Sequence, residues 1–259
     1  MFIVKKLYLY FIDRIVINNM EQTILKDIGD SFIIHHHLGL GDSIICNGLV
    51  NYLSKKNNKV YLPVKSNLLD KINYLYSENN DVEIFEINNE SREKDILHFA
   101  EKNSLKVLRI GFDNIGATAF NLAFYKQIGL PYRYTYKYFN LPEALDKEVE
   151  LQNHLISYYN VDPKNYSIVH NEYQWPGGTF ELKNFDEKNT IFVTRKSDIF
   201  NNIFYYQKLI QEANTIHCIN SSFLHLVERV KSNAKLYYHH LRKNKMHLSN
   251  RWTYVDYEN

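Results

Sequence analysis

The chain has 259 residues, 45% of them hydrophobic and 23% charged, which is the composition of a folded protein with one large domain or two smaller ones. The formal net charge of +2 gives no electrostatic case for nucleic acid as a partner, and two cysteines exclude a disulfide framework or a cysteine-rich zinc site. The apolar patches of residues 1–17 are broken by charges and are too short to span a bilayer, so we expect a cytoplasmic protein.

Hydrophobic periodicity predicts alternating helices and strands in the first half of the chain, after a leading helix or two in residues 1–30. The predicted strands are 32–36, 59–64, 82–87 and 105–110, and the predicted helices are 44–54, 68–76, 91–102 and 117–128. A tyrosine-rich stretch, 132–139, is predicted to be extended, and a helix follows to about residue 159. Such alternation predicts βαβ units with a parallel sheet.

The alternation restarts in the second half. The predicted strands are 167–170, 191–194, 215–219, 234–240 and 252–256, and the predicted helices are 199–213 and 222–230. Residues 171–189, which include Trp175-Pro176-Gly177-Gly178, show no helical pattern and are predicted to form a loop or hairpin. We expect the domain boundary in 160–165, which divides the chain into residues 1–160 and 161–259.

A glycine turn, Gly39-Leu40-Gly41-Asp42-Ser43, joins the first strand to the following helix. Ligands often bind at such turns, because free backbone N–H groups and the positive end of the helix dipole point outward there. A dinucleotide site is disfavoured, since Ile44 replaces the third glycine and Asp42 would place a negative charge at the pyrophosphate. The turn instead presents a carboxylate, which suits a base or a hydroxyl-binding group. The alternative is that Asp42 only caps the helix.

A second polar turn, Asn220-Ser221-Ser222, follows the strand 215–219 and precedes another helix. Its hydroxyls and the first N–H groups of that helix are suited to a diphosphate, and His225 lies one turn farther on. Arg195 and Lys196, after the strand 191–194, would add positive charge. The alternatives are a simple helix cap with a partly buried His225, and two solvated loop cations.

Two other groups of residues could in principle contact a ligand. His35, His36 and His37 alternate between the faces of a strand, so at most two of them could share a ligand, and no metal site is expected. Tyr132, Tyr134 and Tyr136 could stack on a sugar, but packing is the favoured interpretation.

Together the two turns resemble those of the lipopolysaccharide heptosyltransferase-like family, glycosyltransferase family 9. Gly39-Leu40-Gly41-Asp42 matches the Gly-x-Gly-Asp turn of that family, and the stretch from Asn220 to Leu226 matches part of its Asp-Ser/Thr-Gly-x-x-His-Leu signature. Asn220 stands where the family has Asp, and Ser222 where it has Gly. The resemblance implies an α/β protein of the GT-B type, with two Rossmann-like domains facing each other across a cleft.

The resemblance also implies an activity, the transfer of a sugar from a nucleotide-sugar donor to a saccharide or glycolipid acceptor with inversion. Asp42 would be the catalytic base. The implied substrate-binding residues are His37, Gly39, Gly41 and Ser43, and the implied donor-binding residues are Arg195, Asn220, Ser221, Ser222 and His225. No metal or cofactor is implied beyond the donor itself. Peripheral contact with the inner face of a membrane is left open, as is the oligomeric state.

Two rival functions remain. The substitutions at Asn220 and Ser222 are compatible with a non-catalytic nucleotide- or sugar-binding module that kept the fold and lost the chemistry. A Rossmann oxidoreductase is disfavoured by Ile44 and Asp42.

Overall fold

The computed structural model describes residues 27–56, 59–111, 119–173, 177–183, 185, 187–241 and 246–257. Most of the segment predicted to form leading helices, 1–30, lies outside these residues. The chain forms two compact units, Met1–Pro142 and Glu143–Asn259, and each is described by itself. None of the helices in the described ranges is long and apolar enough to cross a bilayer.

The first unit contains a four-stranded parallel sheet in the order β3-β2-β1-β4. Its strands are β1 (Ser31–His35), β2 (Lys59–Lys65), β3 (Val82–Ile87) and β4 (Lys106–Arg109). Phe32, Ile33 and Ile34 of β1 are fully buried, as expected for a central strand that is covered on both faces. All four strands were predicted from the sequence to within two residues at each end.

The following helices accompany this sheet in the described part of the unit. They are α1 (Leu40–Ser54), α2 (Leu69–Leu75), α3 (Arg92–Lys102), α4 (Phe120–Gln127) and α5 (Tyr134–Lys137), with a short 3₁₀ helix at Ser66–Leu68 before α2. Helix α1 is buried along most of its length, from Ser43 to Ser54, so it forms the centre of the unit's core.

The prediction that the tyrosine-rich stretch 132–139 is extended was wrong, because α5 lies within it. Tertiary contacts override the strand-like alternation here. The Tyr134 carbonyl lies so close to α1 that a Cβ on Gly48 would approach it to 2.3 Å, and the Thr135 hydroxyl donates to the Ile45 carbonyl at 3.2 Å. Gly48 therefore allows this short helix to pack directly on α1.

The second unit contains a five-stranded parallel sheet in the order β11-β10-β9-β5-β8. Its strands are β5 (Ser167–His170), β8 (Thr190–Phe192), β9 (Thr215–Cys218), β10 (Lys235–His240) and β11 (Trp252–Asp256). The predicted hairpin is present as β6 (Glu172–Tyr173) and β7 (Gly178–Thr179), which pair in antiparallel fashion.

Three helices belong to this unit, α6 (Leu145–Tyr159), α7 (Gln207–Glu212) and α8 (Ser222–Arg229), with a 3₁₀ helix at Ile203–Tyr206. The predicted helix 199–213 is therefore shorter and begins as a 3₁₀ turn. Helix α6 is fastened to α7 by buried Glu148, which accepts hydrogen bonds from the backbone N–H groups of Ala144 and Lys208 at 3.1 and 3.2 Å. The compact units thus separate before α6, whereas the boundary predicted from the sequence lies at its end.

A chain of hydrogen bonds, buried at its histidine end and exposed at the other, lies at the second sheet. Tyr257 accepts from the Lys183 N–H at 2.8 Å and contacts His239 Nδ1 at 2.7 Å, and His239 Nε2 contacts His217 Nδ1 at 2.9 Å. Burial lowers the pKa of both histidines to about 4, so the two rings are neutral near pH 7. This chain ties the segment after the hairpin and the last residues of the chain to the sheet.

Candidate functional site

In each unit the strand order reverses at one point. The chain moves outward from β1 to β2 and β3 in the first unit and then returns to place β4 on the other side of β1. In the second unit β8 and β9 lie on opposite sides of β5. Ligands of open α/β sheets bind beyond the carboxyl ends of the strands at such reversals, because the two connecting segments diverge there and leave a crevice. Both predicted turns follow a strand that borders a reversal.

The first turn is tighter than predicted, because α1 begins at Leu40 rather than at residue 44. Gly41 and Asp42 thus belong to the first helical turn, and Gly39 is the N-cap with an extended backbone. The Gly39 N–H donates to Asp42 Oδ2 at 3.1 Å, so the capping contact considered from the sequence is present. Within the described residues this is the hydrogen bond that the Asp42 side chain forms, so its Oδ1 atom is available to a ligand.

The environment of Asp42 disfavours the charged form of its carboxyl group. Burial raises the pKa of its carboxyl group to about 7, although the Gly39 N–H and the Lys65 ammonium act in the opposite direction. Lys65 is the last residue of β2, next to β1 in the sheet, and it was not predicted from the sequence. The signal was present, since carboxyl ends of adjacent parallel strands meet at one edge.

Other residues of this turn have mainly structural contacts. Buried Ser43 donates its hydroxyl to the Gly39 carbonyl at 3.1 Å. His37 packs its ring against Phe120 and Phe124, with centroid distances of 5.2 and 5.8 Å, and bonds the Gly111 backbone. Its partial exposure is compatible with the predicted substrate contact, which stays a prediction.

A small cavity lies beside the turn, between α1 and the end of β2. His36, Ser43, Lys65 and Tyr76 are among the residues that line it. Its space of about 10 Å³ has room for a single water molecule and is far too small for a sugar. Any acceptor would therefore lie outside it, over the exposed side of Asp42.

At the carboxyl ends of β1 and β4, an ion pair lies beside a histidine. Buried His35 lies 3.8 Å from Glu93, which also pairs with Arg109 at 3.5 Å. Burial lowers the pKa of His35 to about 4, so this histidine is neutral near pH 7. Among the described residues no three His, Cys, Asp or Glu side chains are grouped as metal ligands.

Gly39→Ala should separate the role of this glycine from helix capping. A Cβ at residue 39 would lie 2.6 Å from Asp42 Oδ2, so the carboxylate has to move and its hydrogen bond is lost. We expect a loss of about 1–2 kcal/mol in urea unfolding, where the cap preference alone accounts for a few tenths to 1 kcal/mol.

A double-mutant cycle provides the control. In an Asp42→Ala background the clash is absent, so Gly39→Ala should cost less than in the native chain. Equal costs in both backgrounds would show that the glycine does not serve the carboxylate.

The second turn begins α8 in the predicted way. Ser221 is the N-cap, and its hydroxyl oxygen accepts from the Leu224 N–H at 3.3 Å. Ser222 and Asn220 are partly exposed beside it, and neither side chain forms a hydrogen bond within the described residues. The capping alternative is thus correct for Ser221, while Ser222 and Asn220 are available to a ligand.

His225 is buried, and its predicted contact with a ligand stays a prediction. It is 5% exposed, and its Nδ1 has no hydrogen-bond partner in the described part of the chain. Burial, aided by the Arg229 guanidinium, lowers its pKa to about 3, so the ring is neutral. His225 can donate a neutral hydrogen bond but cannot supply positive charge to a diphosphate.

Neighbouring strands of the sheet contribute two further side chains at this edge. Arg195 follows β8, its side chain is exposed, and its backbone N–H donates to Glu172 Oε2 at 3.2 Å. His170, at the end of β5, packs on Phe223 of α8 with a centroid distance of 5.4 Å, and its ring bonds the Val193 carbonyl. His170 was not predicted from the sequence, although it borders the reversal between β5 and β9.

Comparison with known proteins adds one finding about the fold. No family model matches this sequence, and no curated protein matches it. Among solved structures, the chain resembles the glycosyl transferase family 9 protein from Veillonella parvula DSM 2008, with a TM-score of 0.56 at 8% sequence identity. The match covers 88% of this chain and 86% of that one. The resemblance inferred from the two turns is thus confirmed at the level of the fold.

Proposed function

We propose that the chain is a glycosyltransferase that moves a sugar from a nucleotide-sugar donor to a hydroxyl group of a saccharide or glycolipid. The observation that carries this proposal is the Asp42 carboxylate, held with a pKa of about 7 at the reversal of the first sheet. The polar start of α8, at the reversal of the second sheet, supports it, as does the shared fold.

In this proposal Asp42 acts on the acceptor. Its Oδ1 takes the proton of an acceptor hydroxyl while Oδ2 stays bound to the Gly39 N–H, which holds the carboxylate in place. A base is most effective when its pKa is close to the working pH, and a value of about 7 meets this condition.

The second unit holds the donor. The first N–H groups of α8 and the hydroxyl of Ser222 bind the diphosphate, because the positive end of a helix dipole favours an anion. Arg195 adds positive charge from the end of β8. Residues 172–175, which follow the first strand of this unit, include no lysine or arginine, so in this proposal the charge on the leaving group is stabilised mainly by α8 and Arg195 rather than by a metal.

The reaction is a single displacement. The deprotonated acceptor oxygen forms a bond to the anomeric carbon, and the bond from that carbon to the diphosphate oxygen breaks. The nucleoside diphosphate leaves with the electron pair, Asp42 holds the proton, and the configuration at the anomeric carbon is inverted.

The two serines should respond differently to alanine. Ser221→Ala removes the N-cap and should lower the free energy of unfolding by about 1 kcal/mol. Ser222→Ala should leave stability unchanged and weaken donor binding about ten-fold, because a hydrogen bond to a charged group is lost. Urea unfolding and calorimetry measure the two effects, and unchanged donor affinity in Ser222→Ala would remove this residue from the site.

The proposal is tested by a thermal-shift screen with nucleoside diphosphates and their sugar conjugates. A ligand at about 100 times its dissociation constant adds about 2.7 kcal/mol of stability, which raises the melting temperature by several degrees. The conjugates that bind are then assayed for release of the nucleoside diphosphate with a panel of saccharide acceptors. Binding without transfer or hydrolysis would favour a binding module, and no binding at all would contradict the proposal.

A further inference from the structure

The tyrosine-rich stretch forms a surface feature that the proposed function does not use. Three rings from the end of α1 and from α5 contact one another, with centroid distances of 4.6 Å for Tyr52 and Tyr134, 5.0 Å for Tyr52 and Tyr138, and 4.8 Å for Tyr134 and Tyr138. Tyr134 and Tyr138 are partly exposed, so the edges of these rings reach solvent.

Four exposed cations cover the rings. Lys56 Nζ lies 4.5 Å from the centre of the Tyr52 ring, and the Arg133 guanidinium lies 5.7 Å from that of Tyr134. Lys55 and Lys137 lie 5.8 and 5.2 Å from the ring of Tyr138. We call this surface the tyrosine–cation patch; its members are Tyr52, Lys55, Lys56, Arg133, Tyr134, Lys137 and Tyr138.

The two segments of this patch carry positive charge only, although a carboxylate of another segment, Glu78, accepts from the Asn140 side chain at 2.9 Å. The two segments that form it, residues 44–56 and 131–142, contain no aspartate or glutamate. The whole chain, by contrast, has 31 lysines and arginines and 29 acidic residues, so its average surface is mixed. Packing of α5 on α1 requires the rings and Gly48, but it does not require four cations at one place.

We infer that the tyrosine–cation patch binds the surface of an anionic lipid bilayer. Lysine and arginine near such a surface are attracted by the negative headgroups, and tyrosine is suited to the interface because its ring is apolar and its hydroxyl polar. Nucleic acid is less well matched. The ring faces are covered by cations and by one another, so they cannot stack on bases, and the chain as a whole has almost no net charge.

The inference does not depend on the proposed function, and it gives a location to the peripheral membrane contact that the sequence left open. Because α1 has 15 residues, the patch at its end lies about 20 Å along the helix from Asp42 at its start.

The test is sedimentation of the full chain with vesicles of phosphatidylcholine containing about one third phosphatidylglycerol, and with vesicles of phosphatidylcholine alone. We expect binding to the anionic vesicles that weakens as salt is added. Lys55→Gln/Lys56→Gln should lower the partition coefficient about 25-fold, since each removed cation contributes about five-fold. Lys137→Gln, on the other helix, should lower it about five-fold.

The matched control is Lys94→Gln/Lys102→Gln on α3, which removes the same charge from two exposed positions and should bind like the native chain. Circular dichroism checks that all variants are folded. Equal binding by the patch variant and the control would overturn the inference, as would equal binding to neutral and anionic vesicles. Tighter binding to an RNA or DNA duplex than to vesicles, lost in the patch variant, would overturn it as well.

Discussion

Replacing Asp42 by asparagine should lower the rate of sugar transfer by about three orders of magnitude while the fold is retained. Asparagine is nearly isosteric, and its amide oxygen can still accept the Gly39 N–H, so the start of α1 is preserved. It cannot take a proton from an acceptor. The measurement is release of the nucleoside diphosphate from a donor found in the binding screen.

The native chain should show a matching pH dependence. A base with a pKa of about 7 is protonated below that pH, so the rate should rise as the pH increases to about 7 and then level off. This rise should be absent from the residual rate of Asp42→Asn. A substitution of exposed Asp70 in α2 by asparagine provides the control and should leave both rate and profile unchanged.

As the pH rises, the contribution of Asp42 to the free energy of unfolding should fall, whereas the rate of transfer should increase. The folded-state pKa of Asp42 lies above its ordinary value of 3.8, so its contribution to stability is fully present below about pH 4 and is lost as the pH rises through about 7. A difference of about three pKa units corresponds to about 4 kcal/mol, and the partial exposure of the carboxylate reduces the expected gain to about 1–2 kcal/mol. Asp42→Asn should therefore be the more stable protein at pH 8.

Near-native turnover by Asp42→Asn in the transfer assay would exclude Asp42 as the base.

Glu228→Ala should destabilise the second unit by about 3–5 kcal/mol, a large part of the total stability of a typical domain. The carboxylate of this residue of α8 is fully buried. It accepts from the Ser249 N–H at 2.7 Å, from the Ser249 hydroxyl at 3.0 Å and from the Trp252 indole N–H, and it lies 3.8 Å from Arg251. Alanine would leave the buried indole N–H of Trp252 and the two partly buried donors of Ser249 without an acceptor.

The loss of stability in Glu228→Ala should be largest around β11. Trp252 begins β11, so hydrogen exchange of the β11 amides should increase more than that of β5, and urea unfolding should give the total change. Glu150→Ala provides the control, because this glutamate of α6 is exposed and its replacement should cost less than about 1 kcal/mol. A loss of similar size in both variants would contradict the assignment of Glu228 as an anchor.

The sequence predicted the local structure well where the period was clear. Strand β1 and helix α1 were found because an apolar run is followed by a 3.6-residue stripe. The start of α1 was placed too late, since the first turn of the helix contains Gly41 and Asp42, which resemble a loop in composition. The tyrosine-rich stretch was predicted to be extended, but residues 134–137 form a helix that packs against Gly48.

The candidate site could be predicted only in part, because its residues come from strands whose order the sequence does not contain. Alternation of helices and strands indicates a parallel sheet, but not that β4 returns to the side of β1. Lys65 and His170 were therefore not predicted to lie near the candidate site. Glu228 resembles a solvated helix residue, and its partners lie more than twenty positions later in the chain.

The strand order also bears on how quickly the protein can fold. Both sheets are wholly parallel, so each described pair within them joins strands separated by a crossover; β1, for example, pairs Phe32 with Lys106. The entropic cost of closing a long loop must be met before the contacts of such a strand pair stabilise the chain. The hairpin of β6 and β7, by contrast, can close locally. We therefore expect slow folding, in which helices such as α1 form before the distant strands pair.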